Sequence, residues 1–164
     1  MEQHIKKRRQ VFVMGIKVPP IEKIHEAYSA IADGRITLRD TEADVSSSDL
    51  TKQYLVKWKD ETYSSNDNAS YWQGYLGYPI IAVLMLQGKL SYDKETAEHF
   101  KGINWKKLNT EYKNKFSEAV KQIMKELEVS GVDCEKINDE INKVYKEIEQ
   151  LTINTKRSSL RPPK

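Results

Sequence analysis

"RITLRDTEADVSSSDLTKQYLVKWKDETYSSNDN", residues 35–68, decides the fold. Apolar residues alternate along it: Ile36 with Leu38, Ala43 with Val45, then Tyr54, Val56 and Trp58. Clusters of turn-forming residues, RDTE, SSSD, KDE and SSNDN, separate the runs. A period of two with this punctuation describes antiparallel strands that bury one face and wet the other. Lys57 and Lys59 fall on the wet face. The stretch therefore predicts a meander of three or four short strands.

Outward from it, most of the chain changes to helical spacing. On the N-terminal side, VFVMGIKV (11–18) has the β-rich composition of one more short strand, and Pro19–Pro20 breaks it. Ile21, Ile24, Tyr28 and Ile31 then repeat on one helical face, and Gly34 stands where that helix should end. On the C-terminal side, ASYWQGYL (69–76) reads as a short helix ended near Gly77. Pro79 opens a second, PIIAVLMLQ. That segment is apolar all round, as a helix in the middle of a core must be. Asp93, Asn104 and Asp133 are placed as N-caps of three further helices. The second of these should run unbroken over 105–128, with a stripe of Trp105, Leu108, Tyr112, Phe116, Val120, Ile123 and Leu127. The last carries Ile137, Ile141, Val144, Ile148 and Leu151, and VSGVD joins it to its predecessor as an antiparallel αα-hairpin. The fold class is α+β: a small antiparallel β-meander packed against a helical body that ends in the hairpin.

Charge divides the chain. The net formal charge is +3. Lys6, Lys7, Arg8 and Arg9 outweigh Glu2 in residues 1–10, and Lys156, Arg157, Arg161 and Lys164 face no acid in 155–164. Residues 11–154 are therefore acidic overall. We read 1–10 and 155–164 as basic disordered tails on a single domain of residues 11–154. A face built for phosphates would make the body basic, and the body as a whole is not.

The function classes narrow mostly by exclusion. One cysteine, Cys134, permits no intramolecular disulfide and no cysteine cluster, which suits a reducing cytoplasm. The longest apolar run, IIAVLML (80–86), is far short of the roughly 20 residues that span a bilayer, so no membrane role is expected. His4, His25 and His99 lack ligand spacing, and neither a nucleophile elbow nor a phosphate loop is present. We expect no catalytic residues, no cofactor and no metal. The Lys-, Glu- and Ile-rich composition suits a thermophilic or low-GC prokaryote.

The leading expectation is a non-catalytic cytoplasmic module that binds another macromolecule, with protein favoured as the partner. The alternative is nucleic-acid binding through the basic tails and a helix-turn-helix-like segment over 79–109. Its would-be reading helix, DKETAEHF, is net acidic, which disfavours approach to phosphates. The candidate surface comprises Lys6, Lys7, Arg8, Arg9, Trp72, Lys101, Lys106, Lys107 and Lys113. Within the aromatic cluster Tyr71, Trp72, Tyr75 and Tyr78, Trp72 falls off the helical line of the other three and is the member expected at the surface. An enzyme ranks third, and would need His25 or His99 beside a carboxylate in a polar cleft.

With one thiol and no paired imidazoles, purified protein should retain no stoichiometric zinc through dialysis. Elemental analysis checks this, and one zinc per chain would overturn it.

Overall fold

The computed structural model describes residues 16–164. Residues 1–10, and most of the strand expected over 11–18, lie outside the described residues. Six helices and five strands follow in the order α1 (Glu22–Ala32), β1 (Ile36–Leu38), β2 (Glu42–Ser46), β3 (Gln53–Lys59), β4 (Thr62–Ser65), α2 (Tyr78–Leu86), α3 (Lys94–Glu98), α4 (Trp105–Glu111), α5 (Phe116–Val129), α6 (Cys134–Glu149) and β5 (Asn154–Thr155). One turn of π-helix, Ala69–Gln73, stands between β4 and α2. The class is α+β.

The meander is present as expected. Strands β1 to β4 pair antiparallel in sequence order, with Val45 opposite Tyr54 and Trp58 opposite Tyr63. Ala43, Val45, Tyr54, Val56 and Tyr63 are buried, while Lys57 and Lys59 are exposed. Leu38 is exposed although its alternation points it inward, because β1 is a three-residue edge strand paired on one side only.

Helix α2 packs on β3 and β4 with one side and on α1 with another. Pro79 through Met85 are all buried, as an all-apolar helix requires. Helix α1 goes further than its sequence suggested. Its stripe implies one buried face, yet every residue from Lys23 to Ala30 is buried. Helices α2, α3, α5 and α6 all pack on it, so it is the axis of the helical body. Its polar residues are partly satisfied inside. Ser29 Oγ donates to the Phe100 carbonyl at 2.6 Å and accepts from Trp105 Nε1 at 2.7 Å.

The three expected N-caps are all in place. Asp93, Asn104 and Asp133 accept from the backbone N–H groups of Thr96, Lys107 and Lys136 at 3.0, 3.1 and 3.2 Å.

Two expectations need correction. The single helix over 105–128 is two helices. Lys113 and Asn114 take left-handed backbone conformations, with φ of 53° and 63°. The Asn114 N–H closes the turn onto the Asn109 carbonyl at 2.7 Å. Asn tolerates this conformation better than other non-glycine residues, but KNK carries neither glycine nor proline, so nothing in the apolar stripe announced the break. After it, Ala119 and Ile123 are buried.

The second correction concerns 155–164. This segment, expected as a free basic tail, lies along the sheet. Strand β5 pairs parallel with β4, Thr62 opposite Asn154 and Tyr63 opposite Thr155. The Asn154 and Lys156 N–H groups donate to the Glu61 and Tyr63 carbonyls at 2.9 and 3.0 Å. Ser158 is buried, and Asn66 Nδ2 donates to the Arg161 carbonyl at 3.3 Å. The reason is general: the outer edge of β4 offers a row of backbone groups that need partners, and any backbone can supply them whatever its side chains.

Val83→Asp should abolish the cooperative thermal transition, because it buries an unpaired carboxylate at a cost of several kcal/mol, on the order of the whole stability of a domain. A melt near that of the wild type would show that α2 is not enclosed. Gly77→Ala should also destabilise. An added Cβ would lie 2.1 Å from Asp67 Oδ2, and Asp67 is itself buried. Overpacking of this kind costs about 1–3 kcal/mol, which calorimetry would read as a lowered melting temperature. An unchanged temperature would mean that Asp67 is free to move.

Candidate functional site

The site begins where β4 ends. Ser65, Asn66 and Asp67 are buried as the chain leaves the sheet. The Asp67 carboxylate accepts from the Ser65 hydroxyl and, at 3.0 Å, from the Ser70 N–H. Ser70 Oγ accepts in turn from the Gly77 N–H at 3.0 Å. Through Ser70 these bonds tie the start of the π-turn to Asp67 before it and to Gly77 after it. Gly74, at φ +74°, closes the turn in a conformation that suits glycine. Trp72 is carried at the crest, 59 % exposed.

Below Trp72 opens a cavity of about 640 Å³, within the size range of ligand sites. Helix α1 supplies Lys23 and Glu26, β3 supplies Tyr54, the start of α2 supplies Tyr78, and the connecting segments supply Arg35, Ser47 and Asp67. Helix α4 supplies Trp105, Lys106 and Asn109, and the break before α5 brings in Asn114 and Phe116. A single unbroken helix would have carried these last two away along its own axis.

The polar groups of the wall are strongly buried. Lys23 Nζ lies 3.0 Å from Glu26 Oε2, off regular hydrogen-bond alignment, and both side chains are 8 % exposed. The same ammonium sits 3.8 Å from the Phe116 ring centroid. Glu26 Oε1 accepts from Asn109 Nδ2 at 3.2 Å. Arg35 donates from Nε to Asp33 at 3.1 Å and from an Nη to the Ser46 carbonyl at 2.7 Å. Burial pushes the Tyr54 phenol up to about 12. Burial also drives Tyr78 far above its ordinary range, and the neighbouring Arg35 only partly opposes this. Both phenols are therefore protonated at neutral pH and can donate, but cannot act as bases.

At the rim, Lys106 Nζ contacts Thr51 Oγ1 at 3.0 Å and Asp49 at 3.4 Å. Hydrogen bonds from Thr51 and Ser47 hold the Asp49 carboxyl far below the usual range, so Lys106 shares its charge with an ionised partner.

A second depression, of about 390 Å³, lies on the other side of Trp72. Tyr71, Tyr75, Thr155, Lys156 and Arg157 line it. Tyr71 meets Trp72 edge-on, with ring centroids 4.7 Å apart. Arg157 Cζ lies 4.7 Å from the Tyr71 centroid and 5.9 Å from that of Trp72. Lys17 Nζ lies 5.9 Å from the Tyr75 centroid and donates to the Gln73 carbonyl at 3.0 Å.

The residues expected from sequence separate here. Trp72 is exposed as anticipated, and Tyr71, Tyr75 and Tyr78 are each half-buried. Lys106 shares the cavity with Trp72. Lys101, Lys107 and Lys113 are exposed but line neither depression. Lys6, Lys7, Arg8 and Arg9 lie outside the described residues. Within 79–109, α3 is five residues long, buries Thr96 and Ala97, and exposes Lys94, Glu95 and Glu98. Lys23, Glu26, Arg35 and Asp67 were not anticipated, and Arg157 was expected only as one cation of a free basic tail. The first two carried a weak signal: a lysine and a glutamate three apart on the helix that opens an apolar body.

The remaining reactive groups lie elsewhere. His25 is buried edge-on against Phe100, and burial lowers it to about 4, so it is neutral. Cys134 is half-buried with its thiol pushed up by burial, and donates weakly to the Met124 carbonyl at 3.5 Å. Among the described residues, no group of three or more His, Cys, Asp or Glu side chains could hold a metal ion, and no helix is long and apolar enough to cross a membrane.

No curated protein and no solved structure matches the chain. Residues 16–154 match the family model described as "Uncharacterised conserved protein UCP014422", so nearly all of the described chain falls within one family. The α1 axis, the meander, the π-turn with Trp72 and the cavity beneath it all lie inside that match, and the chain belongs to this family of uncharacterised conserved proteins.

Proposed function

We propose that the protein is a non-catalytic cytoplasmic module that binds an anionic macromolecule across the Trp72 crest. One observation carries this reading: the largest exposed aromatic ring stands between two depressions whose exposed lining charges are basic, with Asp49 paired to Lys106 at the rim. Lys17, Lys106, Lys156 and Arg157 are exposed around it. The carboxylates that line either depression, Glu26 and Asp67, are buried. Exposed tryptophan and arginine are the residue types that most often anchor partners.

The test is titration of the full chain with three anionic polymers, poly-L-glutamate, heparin and an oligothymidylate, followed by tryptophan fluorescence and anisotropy. At least one should bind at low salt, and Trp72→Ala and Arg157→Gln should each weaken it. If none binds, or if both variants bind like the wild type, the reading falls.

A further inference from the structure

We infer that the partner of the Trp72 surface is single-stranded nucleic acid, with bases stacked on the Trp72 ring and phosphates held by the cations beside it. This inference rests on the reading of that surface as a binding face and adds the chemistry of what it binds.

Four observations support it. The first is the exposure of Trp72. Of the three tryptophans, Trp105 is buried and Trp58 is half-buried and stacked on Tyr63, whereas Trp72 turns most of its surface to solvent. Its support is rigid: the π-turn is bonded through Asp67 and Ser70, and Tyr71 braces the ring edge. A ring carried on a backbone turn that is itself hydrogen-bonded leaves less freedom for stacking to remove.

The second is the interleaving of rings and cations. Arg157 lies beside Tyr71 and Trp72, and Lys17 beside Tyr75. Lys156 lines the same depression as Arg157, and Lys106 stands at the rim of the other. Among the described residues, Lys17, Lys156 and Arg157 form no ion pair. Aromatic rings alternating with cations match a chain that alternates bases with phosphates, and every base has a π-face to offer.

The third observation weighs against a protein partner. Protein hot spots sit in well-packed surroundings that exclude water. The exposed aliphatic side chains here, Val18, Leu38, Leu50, Leu86, Val129 and Leu160, line neither depression. Trp72 shares the lining of the larger depression with polar residues such as Asn68, Gln73, Thr110 and Asn114 and with the rings of Tyr75 and Phe116, and with no exposed aliphatic side chain.

The fourth weighs against duplex. Stacking on Trp72 needs an unpaired base. Reading a major groove needs a projecting element, whereas α3 is a single short turn that exposes two acids against one base.

The experiment uses the purified full chain with a fifteen-residue oligothymidylate, a blunt duplex of the same length, and poly-L-glutamate. Binding is followed by quenching of tryptophan fluorescence and by anisotropy over a range of salt. The oligothymidylate should bind tightest and quench the emission. Trp72→Ala should weaken it roughly tenfold or more and abolish the quench, while Trp58→Phe retains both. Each phosphate contact on a single strand contributes about −0.7 to the slope of log Kobs against log salt, so the three cations outside any ion pair give a slope of about −2. The double variant Lys156→Gln/Arg157→Gln should flatten that slope by about 1.4. Thermal melts of each variant establish that it is folded.

Poly-L-glutamate binding as tightly as the oligonucleotide, with loss in Trp72→Ala, would overturn the inference and leave the binding-face reading standing. Equal affinity for duplex would overturn the inference too. Oligonucleotide binding unaffected by Trp72→Ala would place it on Lys6–Arg9 or elsewhere, and likewise sinks the proposal. If no polymer binds at low salt, the inference and the reading beneath it both fail.

Discussion

The structure depends on the burial of α1. A helix enclosed from Lys23 to Ala30 leaves its polar side chains to find partners mostly within the protein, and among the described residues His25 Nδ1, Glu26 Oε2 and the Tyr28 hydroxyl are left without a hydrogen bond. That requirement fixes the neighbours. Ser29 reaches the Phe100 carbonyl and the Trp105 indole, so α1 is bonded to the end of α3 and the start of α4. Glu26 needs Lys23 from its own helix and Asn109 from α4. Lys23 in turn covers the Phe116 ring at the start of α5. His25 meets the constraint differently, by remaining uncharged against Phe100. The cavity is the place where this internal pairing comes closest to the surface.

A buried ion pair is weak grounds for stability, since an apolar pair of similar volume often serves as well. Removing one partner is another matter, because it strands a buried charge at a cost of about 3–5 kcal/mol. Lys23 and Glu26 are therefore best understood as fixing position. They set the distance between α1, α4 and α5, and with it the width of the cavity whose rim carries Lys106 and Phe116.

The parts of the fold legible in the sequence were those set by neighbouring residues. Alternation over 36–58 gave the meander, side-chain oxygens before apolar runs gave three helix starts, and the unbroken apolar segment gave the buried α2. The parts that were not legible arise from distant contacts. Burial of α1 on every side could not be read from its stripe, which marks only the most apolar face. The break at Lys113–Asn114 uses residues that also sit well in helices. Docking of 155–164 runs through backbone groups, which carry no sequence signal. The site divides along the same line. Trp72 was legible because it falls off the line of Tyr71, Tyr75 and Tyr78. Arg157 was not, because composition marks its segment as a tail while the free edge of β4 draws it against Tyr71.

The sheet and the crest are consequently one mechanical unit. Strand β4 delivers Asp67 at its end, and Asp67 holds the π-turn through Ser70. The carboxylate lies so near Gly77 that only a residue without a side chain fits there. The other edge of β4 holds β5, which brings Lys156 and Arg157 to the far side of the same turn. A four-residue strand thus fixes Trp72 from below and its basic neighbours from the side. A shift in the register of β5 against β4 would move Arg157 off the Tyr71 ring, and it would also pull on Ile153, which is buried in the core immediately before β5. The composition of the surface is therefore governed by backbone pairing at a sheet edge, and Ile153 anchors that pairing to the interior.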